Sequence, residues 1–150
     1  MKPTLTLCLL LTASLWGQDK KPDFSGRWSL NAAKTDYGRL AKPKAYVEVI
    51  EQKEPSLIVN ATSEDQRGES KTFLKMTTDD RDCINEVNGN EFHSKSHWEG
   101  PKLVTTVTGD RGLSLVEVRS LSADGKTQTI ETYMGQRSGT PAMVRVEDRR

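Results

Sequence analysis

Apolar and polar side chains alternate in short runs along most of this chain. Phe24, Gly26, Trp28 and Leu30 would share one side of an extended segment, with Ser25, Arg27 and Ser29 on the other. Similar strand-like runs return over 46–50, 57–62, 72–76, 83–87, 92–98, 103–108, 113–121, 127–134 and 143–146. Turn-forming residues break them: Glu54-Pro55-Ser56, the stretch around Gly68, Asn88-Gly89-Asn90, Gly100-Pro101, Gly109-Asp110-Arg111-Gly112 and Ser122 to Lys126. The pattern predicts an all-β fold: an antiparallel up-and-down β-barrel of roughly ten strands, closed to remove its edges. Asn31 is placed to cap one helical turn through Ala32-Ala33-Lys34, ending near Gly38, after the first strand.

Register can be argued at two hairpins. A two-residue Asn88-Gly89 turn would oppose Glu86 and Glu91, two like charges. Sliding by one residue sets Val87 against Phe92 and Glu86 against His93, which is the expected register. That register places Cys83, Asn85, Val87, Phe92, Ser94, Ser96 and Trp98 on one face, with Ile84, Glu86, His93, Lys95 and His97 on the other. The Gly100-Pro101 turn pairs Trp98 with Leu103, so Phe92, Trp98 and Leu103 are expected to point into the lumen together.

The first residues read differently. A basic Lys2, a mostly apolar run from Leu5 to Trp16 and an abrupt polar change at Gln18-Asp19-Lys20-Lys21 fit a secretory signal peptide over 1–17. The apolar run is too short for a membrane span of ~20 residues. Residues 18–150 then form one domain, secreted or periplasmic, with no span left after cleavage. The leader removes one base and no acid from 22 Lys+Arg and 21 Asp+Glu, so the mature charges balance. A balanced surface offers no footprint for nucleic acid. Cys83 is the one cysteine outside the leader, which excludes an internal disulfide and leaves a small side chain on a strand.

The Phe24-x-Gly26-x-Trp28 segment resembles the opening strand shared by lipocalins and fatty-acid-binding proteins. The resemblance implies a barrel floor built on Gly26 and Trp28, with an arginine from near the C-terminus across the indole. Arg145 is the nearest by position. It also implies a ligand in the lumen, and a lid of one or two helices after the first strand. Fatty-acid-binding proteins clamp a carboxylate with Arg-x-Tyr. The nearest match here is Arg145-Val146-Glu147, whose acid would repel a carboxylate and argues against a fatty-acid ligand.

Little else in the sequence carries chemistry. His93 and His97 are the only histidines. On a strand they stand ~13 Å apart, so they cannot share one metal ion. No nucleophile–histidine–acid set, phosphate loop or cofactor motif is present, and no enzyme activity is expected. Glu117, Arg119, Glu131 and Tyr133 share one parity on two strands expected to pair, opposite Val116, Val118 and Ile130. If the first set faces in, Arg119 and Tyr133 address a polar ligand. If the valines face in, the set is a surface ladder, and the hydrophobic rule favours that. The reading is a monomeric, secreted, lipocalin-like barrel binding a small, partly apolar ligand without cofactor or metal. Its candidate lumen residues are Trp28, Phe92, Trp98, Leu103, Arg119 and Tyr133. The alternative is a structural or interaction barrel whose interior is filled by its own side chains.

Overall fold

The computed structural model describes residues 20–150, so the expected leader lies outside the described residues. Ten antiparallel strands form one sheet rolled into a nearly closed barrel: β1 (Gly26–Leu30), β2 (Ala45–Lys53), β3 (Ser56–Asp65), β4 (Gly68–Thr77), β5 (Cys83–Val87), β6 (Asn90–Glu99), β7 (Lys102–Gly109), β8 (Ser114–Leu121), β9 (Thr127–Met134) and β10 (Met143–Arg149). The order around the barrel is β4-β3-β2-β1-β10-β9-β8-β7-β6-β5. The breaks between strands from β2 to β9 are short turns or connections, most of them containing Gly, Pro, Asn or Asp, with Gln66-Arg67 between Asp65 and Gly68 at the β3–β4 turn.

One helical turn follows β1. The Asn31 carboxamide oxygen accepts the Lys34 N–H (3.1 Å), and the Asn31 carbonyl accepts the Thr35 N–H (3.1 Å). The segment then runs across one end of the barrel, pinned to β10 by an Asp36–Val144 bridge. Gly38 has φ +52°, and a Cβ there would sit 2.1 Å from the Ala142 carbonyl oxygen. Only glycine allows that approach.

The β5–β6 hairpin corrects the expected register. Glu86 opposes Glu91, Val87 opposes Asn90, and Phe92 opposes Asn85. Asn88 (φ 52°) and Gly89 (φ 76°) take the two left-handed positions of a type I′ turn, whose twist matches the strands. That geometry outweighs a like-charge pair in which both acids are exposed and Glu91 has His93 Nε2 at 3.3 Å. The shift moves each strand by one residue, so the two faces keep their expected composition.

A second correction concerns β8 and β9. Arg119 pairs with Ile130, Glu117 with Thr132 and Val118 with Glu131. Odd residues of β8 therefore share a face with even residues of β9. The Ser122–Lys126 connection, with Gly125 at φ 68°, offsets the parity by one. Glu117, Arg119, Gln128 and Ile130 face in, and Glu131 and Tyr133 face out. Tyr133 packs on Val104, Val116 and Val118 on the outer surface.

The sheet has two ends, β4 and β5, and among the described residues no ladder joins them. Asn85 bridges the seam to the β4 backbone. Its carboxamide accepts from Lys75 N–H (2.8 Å) and donates to the Lys75 carbonyl (3.1 Å), imitating one rung of a ladder.

Candidate functional site

The lumen has two halves. At one end, Phe24, Trp28, Ile50, Leu57, Val59 and Leu103 are buried together, with Leu74, Met76, Trp98 and Leu121 packed against them. Phe24 and Trp98 stack with ring centroids 6.0 Å apart. The Trp28 indole N–H donates to the Phe24 carbonyl at 2.8 Å, so the buried ring keeps its polar group satisfied. Each such side chain contributes about 1.5–3 kcal/mol of transfer free energy, enough for this plug to dominate the core.

The arginine crossing Trp28 is Arg149, not Arg145. Its guanidinium lies 4.3 Å from the indole centroid, and its nitrogens donate to the carbonyls of Ser25, Asp23 and Gly125. Gly26 (φ +135°) makes room, since a Cβ would come within 2.6 Å of Arg149 Nη1. Arg145 lies on the same face four positions earlier, and it stacks on Tyr46 at 4.5 Å.

The other half holds a cluster of charges. Arg119 Nη1 donates to Glu48 Oε1 and to Gln128 Oε1 (2.7 Å), and Gln128 Nε2 reaches Glu48 (2.6 Å) and Glu147 (2.7 Å). Arg145 Nε donates to Glu147 Oε1 at 2.5 Å. Glu48, Gln128 and Glu147 are all at most 1% exposed. Four strands deliver the cluster, β2, β8, β9 and β10, with β1 standing between β2 and β10. Burial opposes the charge of Glu48, but the Arg119 and Arg145 guanidinia outweigh it and hold its carboxyl down at about 2. Burial and then the neighbouring Glu48 charge push Glu147 the other way, to about 7. Arg119 and Arg145 stay protonated against burial because these carboxylates surround them. Burial raises the Tyr46 phenol as well.

Between plug and rim lies a cavity of about 170 Å³. Val59, Ala61, Leu74, Met76, Phe92 and Val107 give it an apolar wall; Glu48, Glu117, Arg119 and Arg145 give it a charged one. A crevice of about 250 Å³ lies under residues 37–43, lined by Tyr37, Leu40, Pro43 and Met143 among others. Tyr46, Ser63 and Arg145 line both spaces and so form the partition between them.

Of the residues the sequence nominated, Phe92 and Arg119 line the cavity. Trp28, Trp98 and Leu103 point inward but are spent in the plug, and Tyr133 is outside the barrel. Glu48, Gln128 and Glu147 were not nominated. Their strands carry no local signal that an acid faces inward; only the guanidinia brought opposite them by folding make it tolerable. His93 and His97 sit on the outer face, each beside two carboxylates. Among the described residues no cluster of metal-ligating side chains occurs. Cys83 is half-buried at the seam, 3.6 Å from the Thr77 hydroxyl.

No family model matches this sequence, and no curated protein matches it. Solved structures do resemble the fold. A secretary abundant heat soluble protein from Ramazzottius varieornatus superposes with a TM-score of 0.67 at 11% identity, covering 85% of this chain and 95% of that one. Human cRBP IV gives 0.60 at 16% identity, covering 86% and 99%. Caenorhabditis elegans lipid binding protein 8 gives 0.59 at 12%, covering 83% and 92%. At these identities the likeness establishes a shared β-barrel architecture.

Proposed function

We propose that this protein is a secreted, monomeric binder of one small, partly apolar molecule, held in the half of the barrel away from the Trp28 plug. The observation that carries the reading is the cavity of about 170 Å³, apolar on one wall and charged on the other. An engineered apolar cavity of ~150 Å³ takes up benzene, whereas drug-sized sites run from ~300 Å³ upward. A ring or short chain with a polar arm fits; a long acyl chain does not. One fold relative is named for lipid binding, and the size of this lumen separates the chain from a long-lipid carrier. The filled-barrel alternative describes the plug half, where Phe24, Trp28 and Trp98 leave no such space.

Binding rather than catalysis is favoured because the inward guanidinia are engaged by Glu48, Gln128 and Glu147. Secretion rests on the signal-like segment 1–17. A chain-length series of alkyl alcohols, titrated by calorimetry, tests the proposal. Affinity should rise over the short members and collapse once the chain exceeds the cavity. Leu74→Trp should abolish uptake while the protein stays folded. Binding that keeps strengthening to dodecanol would place the ligand elsewhere.

A further inference from the structure

The lumen's polar groups are unevenly used. Glu48 and Glu147 are held by Arg119, Arg145 and Gln128, and the guanidinia are in turn occupied by them. Glu117 lines the same cavity and makes none of the hydrogen bonds or ion pairs found among the described residues. Three carboxyl groups thus face two guanidinia, and Glu117 is the one left without a hydrogen-bonded partner.

Its neighbours sharpen the point. In register across the sheet, Ser96 opposes Thr105, Thr105 opposes Glu117, and Glu117 opposes Thr132, all on the inward face. Ser96 and Thr105 satisfy each other at 2.8 Å. The Thr132 side chain is only 4% exposed, yet its hydroxyl is buried with no partner. A buried polar group without a partner is unusual and costly in a native interior. The Thr132 hydroxyl is closed off from the cavity, so Glu117 is the group left to meet a ligand there, and a carboxylate only accepts. An ammonium carries three donors and no acceptor, so it complements Glu117.

We propose that the lumen ligand is a small amphipathic amine, its ammonium held by Glu117 and its apolar part lying against Leu74, Met76 and Phe92. This rests on the lumen-binding reading and narrows it. An acid would reach Arg119 and Arg145 only in competition with Glu48 and Glu147, which already pair with them, and Glu117 would repel it.

The test compares hexylamine, 1-hexanol and hexanoate, matched in chain length, by calorimetry on the wild type, Glu117→Gln and Glu117→Thr. Hexylamine should bind about tenfold more tightly than 1-hexanol, the ratio expected for one charge-assisted hydrogen bond, and hexanoate most weakly. Glu117→Gln should erase the amine's advantage and leave 1-hexanol unchanged. Glu117→Thr, which suits the strand and also lacks the charge, should do the same, giving a second arm should Glu117→Gln perturb folding. Equal or tighter binding of hexanoate, or an amine preference that survives both substitutions, overturns the amine while leaving the lumen reading intact. Failure of all three probes overturns both.

Discussion

Arg149 is the register partner of Trp28 across β1 and β10, and its guanidinium covers the indole at 4.3 Å. The two residues act as one latch between the ends of the chain. A cation over an aromatic face near the surface is worth ~0.5–1 kcal/mol. A double-mutant cycle of Trp28→Leu with Arg149→Ala should therefore show coupling of about that size in denaturant unfolding. The same cycle with Arg145→Ala should show coupling near zero, although Arg145→Ala alone should cost more, ~3–5 kcal/mol, since it strands buried carboxylates. Coupling of Trp28 to Arg145 but not Arg149 would contradict the assignment.

The Asn85 clasp makes a local prediction. Asn85→Leu removes both bonds to Lys75 and should lower global stability by only about 1–2 kcal/mol. Hydrogen exchange should show the change more sharply, with the Lys75 amide losing protection while amides in the β6–β9 ladders keep theirs. Unaltered exchange at Lys75 would mean that the seam is closed by something else.

The Glu48–Glu147 pair sets a pH dependence. Glu147 is raised in the folded state to about 7, so the folded form binds the extra proton and stability falls as pH climbs from the ordinary carboxyl value near 4.5 through about 7. Glu48 is lowered to about 2, so its contribution is present above 4.5 and lost as pH falls toward 2. His93 is raised chiefly by its hydrogen bond to Asp82, and its contribution also fades as pH rises through the neutral range. The readout is therefore a difference: between pH 5 and pH 8 the urea midpoint of Glu147→Gln should fall less than that of the wild type. Identical falls would show that Glu147 is ionised throughout.

Trp98 separates packing from binding. Trp98→Ala opens the plug and should destabilise by ~3–5 kcal/mol. Trp98→Phe should be much milder, because the ring stacked on Phe24 is kept and the indole N–H being removed is buried without a partner. Neither should shift the affinity for a lumen probe by more than about twofold, as Trp98 does not line the cavity. A large loss of affinity in Trp98→Phe, measured by the same calorimetry, would move the binding site into the plug.

The strands were legible because their breaks are written in turn chemistry, and the inward faces of β5, β6 and β7 followed from alternation alone. What alternation could not reach was the relation between strands set by a bulged connection. The extra residue at Gly125 reversed the parity of β9 relative to β8 and sent Tyr133 outside. Arg149 was missed for a related reason: nothing local says where β10 stops sliding against β1, and Arg145 carries the same charge on the same face. The charged lumen was the least legible part. Glu48 between Val47 and Val49 looks like the solvent side of a strand until Arg119 arrives from the far side of the barrel.

The strand order has a further consequence for how the chain assembles. Of the nine ladders among the described residues, eight join strands that follow one another directly, and β1–β10 alone joins partners on the order of a hundred residues apart. Two meanders, β1–β4 and β5–β10, can each form from local hairpins, and the slow event is their docking along that one distant ladder. A circular permutant with its ends joined near Phe24 and Arg149 and reopened within residues 78–82 would read around the barrel in simple succession, from β5 to β10 and then β1 to β4. Every ladder would then be local, and the permutant should reach the same native barrel faster than the natural chain.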